Sequence, residues 1–350
     1  MLKEDYGRMV EAVRQKASVL CPDSLDLIGV YGSCATGDTH EKSDLDLLIL
    51  MRDEAGRCLS DGFILEDCGI GFDLYCTTWG MLEGDAECGH PHLGKLMDAK
   101  ILWVRDPEVT ERLEDLRAKA ASVLASEGRF SQAESAFGRA KSAFAGCCLA
   151  ESMPLARRYA AEVIYEGLNA LMLSHGVYFR RGVKRTYEEV AAAVPAWDVR
   201  VATDAVVLAE GLEELREALA EWLRGVRAHM AEPAHFVRSI PSRENLAGTY
   251  EEMVSNWRNK MAEAAGRGDV FSSFMNLASL QGMLDGIASE VDIPAVDAMA
   301  GYDPFDLRGN VETFDRALDE YLEAYRRAGI QPKRYADMEA FIADYLGGIE

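Results

Sequence analysis

The sequence predicts an α+β fold, with a mixed sheet flanked by helices over residues 1–106 and an all-α remainder. Two observations carry this expectation. Short apolar runs at Leu25–Tyr31, Asp44–Leu50, Phe63–Leu65, Phe72–Thr77 and Ile101–Val104 all lie in the first third of the 350 residues, bounded by glycine, charge or proline. From Glu108 onward the apolar residues recur at helical spacing and strand candidates become few.

In order along the chain, Leu2, Tyr6, Val10, Val13, Ala17 and Leu20 mark an opening amphipathic helix, which Cys21-Pro22 ends. The first strand follows from Leu25 and stops at Gly32-Ser33, and the second opens at Asp44. Arg52 to Gly62, rich in charge and glycine, reads as a loop. Strands at 63–65 and 72–77 are joined through Gly69 and Gly71, and residues 78–98 are mostly helix and turn. Ile101–Val104 completes the sheet before the break at Asp106-Pro107. Long helices are expected over 108–126, 131–150, 155–174 and 203–230. A punctuated stretch from Glu232-Pro233 to Pro241 precedes further helices over 245–265, 270–289, 311–327 and 335–346. The expected division is therefore 1–106, 107–241 and 242–350, the last two forming either two helical parts or one.

Side chains alternate between the faces of a strand, so Asp44 and Asp46 point the same way, roughly 6.6 Å apart by the strand rise. Leu45, Leu47 and Ile49 take the opposite face. Leu48 and Leu50 continue the aspartate face as apolar residues, so the strand is expected to be covered on both sides. Two carboxylates at the start of such a strand repel each other and lose solvation unless a cation sits between them. Hard oxygen ligands suit magnesium. Asp73, the one acid of a neighbouring apolar run, can join the pair on the same face. The turn at Gly32-Ser33 offers amide groups that can receive phosphate oxygens.

Gly-Ser, ten residues, Asp-x-Asp, then a later carboxylate on a neighbouring strand: this pattern resembles that of the DNA polymerase β-like nucleotidyltransferase superfamily. Within it the chain looks most like the bacterial enzymes that nucleotidylate aminoglycoside and lincosamide antibiotics, which also carry a helical part after the catalytic one. The motif likeness covers the first 105 residues or so. It implies transfer of a nucleoside monophosphate, with AMP from ATP expected, onto a hydroxyl of a small molecule. Two magnesium ions would be held by Asp44, Asp46 and Asp73, and Gly32 and Ser33 would cradle the β- and γ-phosphates. Such chemistry needs alignment and charge neutralisation more than covalent help. Asp73 is assigned to the metal site, and the base that accepts the hydroxyl proton stays open. The resemblance also points to a lysine from the helical part reaching the triphosphate. Lys184, in the cationic run Arg180-Arg181-Gly182-Val183-Lys184-Arg185, is the candidate; a solvated loop is the alternative.

Composition narrows the partners. A net charge of -22 argues against nucleic acid, whose binders need cationic surface. It is compatible with a cationic acceptor, and equally with an acidic surface kept for solubility. No apolar segment precedes Lys3, Glu4 and Asp5, so neither a signal peptide nor a membrane span is expected. The eight cysteines, without a Cys-x-x-Cys pair, are expected to be reduced thiols of a cytoplasmic protein. Cys88, His90 and His92 lack the usual spacing of metal ligands. Glu162, Glu166 and Asn169 read as the solvated face of a helix, where Arg158, four residues before Glu162, makes a surface ion-pair ladder. The rival functions are a protein adenylyltransferase and an inactive nucleotide-binding module. The oligomeric state is open.

Overall fold

The computed structural model describes residues 2–39, 45–66, 69–181, 185–233 and 238–346, and they divide into two compact units, Met1–Ala234 and His235–Glu350. The first unit opens with α1 (Leu2–Leu20), β1 (Leu25–Val30) and the short α2 (Gly32–Thr36). Then come β2 (Leu45–Met51), β3 (Asp61–Leu65), β4 (Ile70–Thr78), α3 (Trp79–Asp85), α4 (Gly94–Met97) and β5 (Lys100–Val104). The helices α5 (Pro107–Ala125), α6 (Gly128–Leu149), α7 (Met153–Ser174), α8 (Thr186–Ala193), α9 (Val199–Val207) and α10 (Leu212–His229) complete it.

The five strands form one mixed sheet in the order β3-β4-β2-β1-β5. β2 runs parallel to β4, while β1 pairs antiparallel with both β2 and β5. Period-two alternation sorts the central strands as the sequence predicts. Ile28, Val30, Leu47, Ile49 and Met51 pack against Val13 and Ala17 of α1. On the other side, Leu27 and Leu50 join a core that continues through Trp79, Leu93, Leu113 and Phe137 to Leu171 and Trp222. The sheet and the helices from α5 to α10 thus share one apolar interior.

One acid lies inside this layer. Asp26 on β1 is almost fully buried, and its carboxylate is satisfied by Arg52 (3.0 Å) and the Trp79 indole N–H (2.8 Å). A buried charge is tolerated only with such partners. At Asp106-Pro107 the aspartate caps α5 by accepting from the Val109 N–H, and proline fills the first turn, where its missing N–H costs nothing.

The expected helix over 203–230 is two helices, α9 and α10, separated at Glu210-Gly211, where Gly211 serves as the N-cap. The expected loop after β2 contains a 3₁₀ turn, Glu54–Leu59, whose Gly56 sits so close to Met51 that an added Cβ would be 2.8 Å from its Cγ. α8 was not foreseen, because a two-turn helix with one buried apolar residue, Val190, shows no period.

The second unit contains α11 (Arg243–Leu246), α12 (Thr249–Met253), α13 (Asn259–Arg267), α14 (Val270–Glu290), α15 (Leu307–Arg327) and α16 (Met338–Leu346). Its own core gathers Met261, Leu277, Leu284, Phe314, Tyr321 and Tyr325. No described helix is long and apolar enough to cross a membrane.

Candidate active site

The register of the sheet places Asp46 of β2 directly beside Asp73 of β4. In adjacent paired strands, register partners lie about 4.8 Å apart and point to the same face. Tyr31, just past the end of β1, donates its backbone N–H to the Asp46 carbonyl (3.3 Å), so it lies opposite Asp46 on the other flank. The row Tyr31–Asp46–Asp73 therefore crosses three chain segments at one end of the sheet. Asp46 is half-buried and Asp73 exposed, and behind Asp46 on the same strand Leu48 and Leu50 are buried.

Gly32 faces this row in the left-handed region, with φ of 66°. A Cβ there would come within 2.9 Å of Asp46 Oδ2. Glycine is required twice over, by its dihedral and by the carboxylate against it. Ser33 follows as the second residue of α2, which Gly37 closes in a left-handed C-cap. The turn predicted from Gly-Ser is thus formed, and it abuts Asp46.

Asp44 and Lys184 lie outside the described residues. Asp46 and Asp73 are the two described carboxylates of the predicted trio. Among the described residues no three His, Cys, Asp or Glu side chains converge as a metal cage. The donor set still suits a hard cation: two adjacent carboxylates, opened toward a glycine cradle with no side chain in it.

Three neighbours escaped the sequence reading. Tyr75, two residues beyond Asp73 and so on the same face, meets the Tyr31 ring edge-on with centroids 6.2 Å apart. Lys95 of α4 places its ammonium 4.1 Å from the Tyr75 ring centroid, in cation–π contact. Among the described residues it makes no salt bridge, in a chain where acids outnumber bases. Burial, followed by the Asp46 and Asp73 carboxylates, pushes the Tyr31 hydroxyl well above its usual range, so it stays protonated as a donor. Nothing in the sequence marks Lys95, since its role depends on α4 folding back over β4.

Arg185, the last residue of the cationic run, reaches the same end of the sheet. Arg185 grips Asp38, one residue after Gly37, through Nη2 (2.9 Å) and Nε (3.1 Å). Arg180 pairs with Asp98 (3.0 Å), and Arg181 with Glu189 (3.2 Å).

The other sequence candidates separate. Cys88 is buried with its thiol toward the Ala120 carbonyl, His90 pairs with Asp85, and His92 meets Asn169. Glu162 is exposed as expected, but Glu166 is half-buried against Arg139 of α6 and Asn169 is buried at 1% exposure, so the face passes from solvated to interior along α7.

The structure thus brings together Gly32, Asp46 and Asp73 of the residues that the sequence pattern singled out. Residues 8–117 match the family described as nucleotidyltransferase domain. The match lies within the first unit and supports a nucleotidyltransferase enzyme. Among solved structures, a nucleotidyltransferase-like protein from Exiguobacterium sibiricum aligns at 15% identity with a TM-score of 0.39, covering 80% of this chain and 91% of that one. So distant a likeness adds no weight to the assignment. No curated protein matches the sequence.

Proposed function

We propose that the protein transfers AMP from ATP, with magnesium, onto a hydroxyl of a small molecule, in the manner of the aminoglycoside- and lincosamide-modifying enzymes. The observation that carries the reading is the register pair Asp46–Asp73, set against Gly32 on one face of the sheet.

Asp44, Asp46 and Asp73 would hold magnesium, which supplies charge neutralisation at the phosphates. The chain's own groups do the positioning. Amides of the Gly32-Ser33 turn hold the β- and γ-phosphates. Lys184, next in sequence to the Arg185 that pairs with Asp38, would reach the triphosphate. Lys95 sets a second positive charge beside the carboxylate row, where phosphate charge gathers in the transition state. Tyr31, kept protonated, donates to the row or to a phosphate oxygen.

The test is incubation with ATP, magnesium and a panel of aminoglycosides and lincosamides, followed by mass spectrometry. One added AMP on a small molecule, absent with Asp46→Asn, supports the proposal. Label that runs only with protein in a lysate would instead make the acceptor a polypeptide. No label anywhere would leave a nucleotide-binding module.

A further inference from the structure

Within the first unit a cavity of about 270 Å³ lies between α7, the start of α8 and the loop before α4, lined among others by His92, Tyr165, Leu168, Asn169, Phe179 and Tyr187. Both of its flanks are tied to the carboxylate face. The loop bearing His92 leads into Lys95, which sits over Tyr75, and the segment bearing Tyr187 begins at Arg185, which grips Asp38. Phe179 joins the two by donating its N–H to the Pro91 carbonyl (2.8 Å).

The lining is built around one imidazole. The His92 ring stacks on Tyr165 (5.0 Å, 1° between planes) and on Phe179 (5.1 Å, 20°). Its Nε2 lies 3.0 Å from Asn169 Oδ1, while Asn169 Nδ2 donates to Glu166 (3.4 Å), which pairs with Arg139 (2.9 Å). That chain fixes the asparagine's orientation and makes His92 Nε2 the donor. Burial lowers the His92 pKa, so the ring is neutral and its Nδ1 keeps a lone pair that no described group uses.

Every side chain named in the lining is uncharged, and Glu166, the nearby acid, is already neutralised by Arg139. A polycation entering this space would lose its hydration without gaining a counter-charge. The faces that Tyr165 and Phe179 turn toward His92 are occupied by that ring and are closed to a cation. An uncharged ring with an apolar side and a hydroxyl meets what the cavity offers: aromatic and aliphatic surface with uncharged polar groups, the His92 imidazole among them. We propose that this cavity is the acceptor subsite of the transfer reaction, and that it takes an uncharged, hydroxyl-bearing ring in preference to a polycationic one. The assignment of the occupant as acceptor rests on the transfer reading above; the cavity's preference does not.

The experiment is saturation-transfer NMR and calorimetry on the full chain without nucleotide, using p-nitrophenyl β-glucoside as the uncharged probe and kanamycin as the polycation. The glucoside is expected to bind and kanamycin not to compete with it. His92→Phe preserves the stack but removes the acceptor, and should weaken glucoside binding about tenfold. Leu168→Trp, which fills the cavity, should abolish it. Melting temperatures check that both variants fold, and Tyr187→Ala, at the rim of the aromatic lining, serves if the tryptophan variant does not. The same glucoside affinity in Asp46→Asn shows that binding is separate from chemistry. Absence of glucoside binding, displacement of the glucoside by kanamycin, or an affinity unmoved by these substitutions would overturn the proposal. A protein that binds the glucoside in the cavity yet transfers AMP to nothing would cost the transfer reading its reaction and leave the site standing. Transfer onto an acceptor whose affinity ignores all three substitutions would do the reverse.

Discussion

Asp46 and Asp73, 27 residues apart in sequence, are register partners across a parallel strand pair. The pairing sets their spacing through the backbone hydrogen bonds of the sheet rather than through side-chain packing. Their mutual repulsion is therefore held in place by the same ladder that holds the fold.

Replacing Asp46 with Asn should lower nucleotidyl transfer by roughly 100-fold or more, since perturbing even the surroundings of a metal ligand costs 10–100-fold. The melting temperature should hold or rise, because one of two like charges is gone. Single-turnover assays beside thermal denaturation check this; near-normal turnover would contradict the metal-site reading.

Gly32→Ala tests the turn. The left-handed dihedral alone costs about 1–2 kcal/mol for any residue with a Cβ, and here the Cβ also meets Asp46 Oδ2 at 2.9 Å. Expected are a loss of at least that stability in urea and a fall in turnover, because the strain is relieved only by moving the carboxylate.

Lys184→Ala should raise the KM for ATP about tenfold or more with unchanged stability, as loss of one charge-assisted hydrogen bond would. Arg185→Ala should do the same more mildly, by releasing the segment from Asp38. Indifference of ATP dependence to both substitutions would return this run to a solvated loop.

His92 predicts a pH effect. Burial, and secondarily His90, push its folded pKa below the unfolded value of about 6.5, while Asn169 and Glu166 act the other way. The unfolded chain therefore binds the extra proton first, and stability is lost as pH falls below about 6.5. Melting curves between pH 7 and pH 5 should slope downward, and His92→Gln should flatten that slope.

The sheet and the face taken by Asp46 were legible because alternation is local, a two-residue period in one strand fixing it; Asp44 lies outside the described residues. The Gly32 turn was legible because a Gly-Ser pair ends the apolar run of β1, which is also a local signal. Lys95, Tyr75, His92 and Asn169 were not, because each acquires its role from an element distant in the chain. Lys95 matters only once α4 lies over β4, and Asn169 is interior only once His92 stacks beside α7. The solvated reading of Glu166 failed on the same ground, as its partner Arg139 belongs to another helix. The break at Gly211 was hidden by helix-compatible residues on both sides of it.

The apolar interior that runs from Leu27 and Leu50 to Trp222 has a bearing on how this protein can be cut or recombined. A fragment ending at residue 106 would expose one whole side of the sheet to water, and the grip on Asp38 would go with it. Grafting a foreign helical half onto these strands would demand a matched lining as well as a matched acceptor. The strands and the helices α5 to α10 are in that sense one heritable piece, expected to change by substitution inside it rather than by exchange of parts.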